Sequence, residues 1–387
     1  HRRRDHVEIR GAGEYRERQD AEQQGRLGEG GETHLPRRAE AAEGRADIHP
    51  RQRQRDARRR QQPGDQDQVG DRGQRHALRE ARHQRRRRHG RREERIAIIH
   101  ARSRAPAWSA LLAARRSGAR LVTTYHGTYN EGLPGKRLYN SVMARGERVI
   151  AISRFIAEHL RARHGTDPAR IRIIPRGVDP ALFDPDAVAP ARLAALRQAW
   201  DLPEDGPPVV MLPARLTRWK GGMVLVEAMA RLPGEATAVL VGGAEPKREG
   251  YRAQLEALVA ARGLGGRVRL VGHCADMPAA LLLADVVVHA STDPEAFGRT
   301  VIEAQAMRRP VIASDLGGPR ETVEEAVTGW RVPPGDPAAL ATAIHWVLSM
   351  PAGERAAVGA RARAAVLAHN TVRAMQDATL AVYRELL

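Results

Sequence analysis

Five short apolar runs, VVMLPARL, TAVLVGG, RVRLVGH, DVVVHAS and RPVIASD, lie between Val209 and Asp315, and each is followed by a stretch with helical spacing. Short runs that are apolar throughout and stopped by glycine or polar residues have the pattern of strands buried on both faces of a parallel sheet. Parallel neighbours need a crossover, which the helical stretches supply. This part of the chain is therefore held to an α/β layout of five strand–helix repeats, with ligands expected beyond the carboxyl ends of the strands.

The same alternation begins earlier, at Ile96. RIAIIHARS and ARLVTTYHG read as strands, and APAWSALLAARRSG between them reads as a helix with a glycine stop at Gly118. RVIAIS, RFIAEHLRARHG and RIRIIPRGVD continue the pattern. A chain of 387 residues is too long for one ordinary core. The polar, proline-rich stretch DLPEDGPP, Asp201 to Pro208, is the natural link between two Rossmann-like α/β domains. The expected organisation is a first domain over 96–200 that lacks its opening strands, a second over 206–368, and a last helix over 371–387 returning to the first.

Residues 1–95 read differently. Runs such as RQRQRDARRRQQ carry no sustained apolar periodicity, and they account for much of the net charge of +18. Such a segment buries too little surface to offset its ordering entropy. As a basic arm it would suit nucleic acid, yet Tyr15 is its one aromatic residue and base stacking needs more. Apart from Ile9, Tyr15, Thr33 and Ile48, every residue here is of a type with codons beginning in C or G, and lysine and serine are absent. Out-of-frame translation of a GC-rich gene explains that alphabet better than selection for a flexible arm does. It predicts that the shifted frame upstream of Ile96 encodes an apolar strand and a glycine loop. It also predicts poor solubility and little transferase activity for the chain as written.

Cys274 is the single cysteine, so no internal disulfide forms and a reducing compartment is expected. No apolar run is long enough to span a bilayer. The chain starts at His1 without a signal-peptide pattern, which reads as a fragment of a cytoplasmic protein, soluble or peripheral at an anionic membrane face.

The chemistry lies after the strands. TRWKGG places Arg215, just before it, and Lys220 on one loop, where two cations suit a diphosphate; on their own they equally suit a solvated basic loop. Gly242 and Gly243 permit close backbone approach, or an ordinary turn. In DPEAFGRTVIEAQA, Glu295 falls on a loop and Glu303 one turn inside a helix that starts near Arg299. Eight residues of helix rise about 12 Å, so the two carboxylates serve different ends of a ligand. Backbone amides around Phe297, Gly298, Arg299 and Thr300 would face a phosphate, and a carboxylate beyond them would accept from a ribose diol.

PEAFGRTVIEA resembles the E-x7-E signature of retaining glycosyltransferases, in particular glycosyltransferase family 4 with the two-domain GT-B fold. ARLTRWKGG is similar to that family's donor-phosphate loop, IPRGVDPALF to its interdomain segment, and SDLGGPRETV to a later turn. Residues 127–156 are similar to the acceptor side of its lipopolysaccharide and surface-glycan branch. The resemblance covers 96–387 and excludes 1–95. It implies that Glu295 contacts the donor sugar, Glu303 the ribose, and Arg215 with Lys220 the departing diphosphate. His126, at a strand end before a glycine, would face the anomeric carbon as the second catalytic residue. The implied substrates are a nucleotide-diphosphate sugar and a glycan or lipid-linked acceptor, with no metal, no other cofactor and no nucleic acid. A nucleotide-sugar epimerase of the same fold is the alternative enzyme, separated by product analysis with and without acceptor. A nucleic-acid-binding protein is the alternative outside enzymes, and would lose salt-dependent binding on deletion of 1–95.

Overall fold

The structure, a computed structural model, describes residues 96–233, 235–243 and 249–387. The arm or frame question over residues 1–95 lies outside the described residues. The first sheet contains β1 (Ile98–Ala101), β2 (Arg120–Tyr125), β3 (Arg148–Ala151) and β4 (Ile171–Ile173), parallel and in chain order. Helix Arg104–Ser117 makes the first crossover and stops at Gly118 in the left-handed conformation, φ 75°. Helix Arg154–His164 makes the third, with the Ser153 hydroxyl accepting from the Ile156 amide at its start.

The second sheet contains β5 (Val209–Pro213), β6 (Thr237–Val241), β7 (Val268–Gly272), β8 (Val286–His289), β9 (Val311–Ser314) and β10 (Trp330–Val332). Their order is β10-β9-β8-β5-β6-β7, all parallel. Five strands were expected and six are present. The sixth escapes sequence reading because it is three residues long, carries Arg331 at its centre and pairs only with β9. The chain runs outward from β5 to β7 and then returns to place β8 on the other side of β5. That reversal opens a crevice between two neighbouring strands, at their carboxyl ends.

The last helix, Val372–Arg384, is capped by the Thr371 hydroxyl. It packs Val382, Met375 and Tyr383 against Val122, Ile150 and Ile174 of the first domain. Glu385 beyond it accepts from both Arg148 and Arg172. The return is fixed where Val178 and Val372 exchange backbone hydrogen bonds with Asn370 and Val178.

The two domains also touch directly. Glu321, ahead of the second domain's final strand, accepts from the amides of Arg154 and Phe155 at 2.8 Å. These are orphan donors at the start of the first domain's helix Arg154–His164, so a carboxylate from one domain caps a helix of the other. Beside it the Ser153 hydroxyl donates to the Ala296 carbonyl at 2.6 Å.

Candidate active site

The loop after β5 and the loop after β8 emerge side by side because those strands are neighbours. Gly221, in the left-handed region at φ 75°, sits against the Ala290 carbonyl just past β8; a Cβ there would collide with it. The contact brings Lys220 to the β8 loop, where its ammonium donates to Glu295 Oε2. His289 closes β8, and its Nε2 donates to the same oxygen at 2.6 Å, with Ser291 Oγ at 3.3 Å. Burial works against ionisation of Glu295, but hydrogen bonding and charge from His289 and Lys220 prevail and hold the carboxyl down to about 2. Glu295 is a carboxylate throughout the ordinary pH range.

The backbone of that loop is held from behind. Gly317, at φ 67°, bridges to Glu295, and the Gly318 amide donates to the Glu295 carbonyl at 2.7 Å. No side chain fits between Gly317 and that carbonyl, which is the physical content of the Gly-Gly in SDLGGPRETV. Helix Arg299–Ala306 follows, its first residue preceded by Gly298 and its N-terminal amides without a side-chain cap. Glu303 accepts from Arg299 at 2.8 Å. Burial raises its carboxyl against the opposing charge of Arg299.

A cleft of about 740 Å³ opens between the domains, lined by His126, Asn130 and Arg176 on one side and Trp219, Glu295 and Arg299 on the other. Phe297 and Gly298 also border it, although the Phe297 ring is buried in the core. His126, just past the end of β2, and Glu295 thus face one space. Lys220 reaches that space through Glu295. Arg215, Gly243, Thr300 and Glu303 are not on its wall. Arg215 is exposed on the loop after β5, and the Gly243 carbonyl accepts from Leu216 next to it. Among the described residues, no group of three histidine, cysteine or acidic side chains is placed to hold a metal.

Three residues of this site went unassigned in the sequence. His289 is a buried imidazole at a strand end, and its signal was a polar residue closing the apolar run DVVVH. Trp219 lines the cleft and lies under the Lys220 ammonium, 4.2 Å from ring centre to nitrogen. Arg176, in IPRGVD, donates to His126 Nδ1 at 2.7 Å. Nothing local in the sequence marks that pairing.

Two family profiles match the chain, "Glycosyltransferase Family 4" over residues 41–182 and "Glycosyl transferases group 1" over residues 195–365. A solved glycosyltransferase from Rickettsia africae superposes with a TM-score of 0.70 at 35% identity, covering 75% of this chain and 76% of that one. The chain belongs to glycosyltransferase family 4. The first profile begins inside the arginine-rich segment, further N-terminal than the motifs placed the family's limit. The same two-domain GT-B layout appears in Anabaena HepE, solved with UDP-glucose, at a TM-score of 0.67 and 28% identity over 74% of this chain and 79% of that one. The D-inositol 3-phosphate glycosyltransferase of Xylanimonas cellulosilytica is 38% identical over 232 residues, 58% of this chain. The chain spans about half the length of the curated relatives it matches. Among the described residues, no helix is long and apolar enough to cross a membrane.

Proposed function

We propose that this family 4 member transfers a sugar from a nucleotide-diphosphate sugar to an acceptor hydroxyl, with retention of configuration. The observation that carries the reading is the ionised Glu295, held by Lys220 and His289 where the loops after β5 and β8 meet, opposite His126. In this reading the diphosphate lies at the start of helix Arg299–Ala306, met by its amides and by Lys220 and Arg215. Glu303 takes the ribose diol, and Glu295 accepts from hydroxyls of the donor sugar. The bond from the anomeric carbon to phosphate oxygen breaks as the acceptor oxygen bonds to the same face of that carbon. The acceptor proton passes to the departing phosphate.

The HepE complex with UDP-glucose supports a nucleotide sugar as donor. The likeness of residues 127–156 to surface-glycan enzymes supports a glycan or lipid-linked acceptor, met at the cytoplasmic face of a membrane. The test is a screen of UDP-, GDP- and ADP-sugars for thermal stabilisation of the full chain, followed by product analysis with the best donor and a mixture of glycan and lipid-linked acceptors. A stabilising donor that yields a retained glycoside is expected. If no sugar nucleotide raises the melting temperature, the donor assignment fails. If one does so but the product is an epimerised donor formed without acceptor, the transferase reading fails.

A further inference from the structure

Arg176 belongs to the segment that joins the two domains, and it is half-buried between two cavities, the cleft described above and a second of about 440 Å³. Its guanidinium reaches His126 Nδ1 with Nη2, 2.7 Å away. A guanidinium has donors only and does not lose its proton in proteins, so the direction of this hydrogen bond is fixed: Arg176 donates and Nδ1 accepts. An imidazole nitrogen that accepts carries no proton. The remaining proton of a neutral ring is therefore on Nε2.

We propose that Arg176 is a positioning residue that locks His126 in the neutral Nε2–H tautomer, so that the ring meets the cleft without a free basic nitrogen and does not act as a general base. The proposal rests on the transferase reading for the substrate, but the lock itself is a property of the free protein.

The surroundings agree with it. Arg176 is held in place by its backbone, whose carbonyl accepts from Asn370 Nδ2 at 3.2 Å, and by the crossing at Val178 and Thr371. Its other terminal nitrogen approaches Met375 Sδ at 3.9 Å. Among the described residues no carboxylate pairs with Arg176, so its hydrogen bonding is not diverted from the ring. The charged and titratable groups facing His126 are Arg176, Arg102 and His100, with the Tyr129 hydroxyl 3.5 Å from its backbone amide. Asp293, Glu295 and Arg299 face it across the cleft. Burial, then Arg176, Arg102 and His100, lower the imidazole to about 4, while a hydrogen bond with the Arg102 backbone acts in the opposite sense. That last effect is the one expected of a carbonyl accepting from the ring N–H.

The lock also accounts for an arginine beside a histidine that would otherwise gain nothing from it. A histidine with both tautomers populated carries its proton on Nε2 only part of the time. Fixing one tautomer aims the proton permanently, as a carboxylate does in the opposite polarity for other histidines.

Long-range 15N–1H correlation on full-length chain labelled at histidine, with His126→Ala for assignment, reads the tautomer directly. In the wild-type protein at pH 7, Nδ1 is expected in the unprotonated range and Nε2 in the protonated range. Arg176→Met should move both resonances toward the averaged position of exchanging tautomers and raise the His126 pKa from about 4 toward the ordinary 6.5. Arg176→Lys, which keeps a donor, should restore much of the wild-type pattern. A wild-type Nδ1 that carries the proton overturns the proposal without any variant. So does an Arg176→Met protein whose two resonances are unchanged. These outcomes do not depend on turnover, so they separate failure of the lock from failure of the transferase reading, which the sugar-nucleotide screen decides.

Discussion

Lys220→Ala and Glu295→Gln should change affinity for a nucleoside diphosphate in opposite directions. In the free protein the cation assigned to the diphosphate and the carboxylate assigned to the sugar hold each other, with side chains 12% and 20% exposed. The donor must therefore take Lys220 from Glu295. The carboxyl is lowered from 4.5 to about 2, and at about 1.4 kcal/mol per unit this is about 3 kcal/mol of net preference for the charged form. His289 and Lys220 share it, so the part that falls to Lys220, on the order of 1 kcal/mol, measures the competition that the diphosphate meets. Glu295→Gln removes the competing charge and should strengthen UDP binding by up to about tenfold. Lys220→Ala removes a charge-assisted hydrogen bond worth about 1.5–3 kcal/mol and should weaken it roughly ten- to hundredfold. Isothermal titration of both variants at pH 7 and one ionic strength, using the nucleoside diphosphate that best stabilises the wild type, gives the two numbers. Transfer should be lost in Glu295→Gln despite the tighter binding. If both variants bind more weakly by a similar factor, the exchange of partners is wrong and Glu295 contributes to the phosphate site itself.

Arg215→Ala should also weaken nucleoside diphosphate binding by about 1.5–3 kcal/mol, and unchanged affinity would remove Arg215 from the phosphate site. Glu303→Ala should weaken UDP while leaving inorganic pyrophosphate binding intact, since only the former has a ribose; equal losses for both probes would refute the ribose role. Glu321→Ala removes the carboxylate that caps a helix of the opposite domain and should cost about 1–2 kcal/mol in denaturant unfolding. It should also raise protease sensitivity of the interdomain segment, and a domain arrangement indifferent to the change would show that this contact does not hold the cleft. The last prediction concerns pH. His100 and His126 are both lowered to about 4, chiefly by burial. A histidine kept neutral in the fold binds fewer protons there than when unfolded, so its contribution to stability is whole above about pH 6.5 and declines as pH falls toward 4. Glu295 acts in a lower window, from its ordinary value down to about 2, so the two effects separate in an acid titration of stability. His100→Gln with His126→Gln should flatten the upper window, and a slope that persists there would place its origin in other groups.

Much of the second domain was legible because a parallel sheet imposes its pattern strand by strand. VVMLP, TAVLV and VVVH are buried along their whole length and need no partner to be recognised. Glycine stops were equally local, as Gly118 and Gly165 both adopt the left-handed conformation that ends a helix. The strand Trp330–Val332 was not legible, because a three-residue edge strand is defined by the β9 backbone beside it and not by its own composition. The strand order was inferred only as a class. Where the chain reverses after β7 is set by packing between helices and sheet, and that reversal is what makes β5 and β8 neighbours.

The site divides along the same line. Glu295, Lys220 and His126 were each named from a short stretch that follows a strand, where chemistry is expected in this architecture. The direct pairing of Lys220 with Glu295 joins positions 75 apart, and no spacing rule relates them until β5 and β8 lie side by side. Arg176 and His126 are 50 apart, His126 after β2 and Arg176 after β4, the last strand of the first sheet. Their relation has physical meaning only as a donor aimed at one nitrogen of one ring. Sequence motifs therefore named some of the residues on the cleft wall, while the state of each group followed from three-dimensional neighbours. Glu295 remains ionised although it is buried, because His289 closes its strand and Lys220 crosses from the next loop. His126 remains neutral chiefly because it is buried, and then because its neighbours are cations, the nearest of which offers it a proton it can accept only as a hydrogen bond.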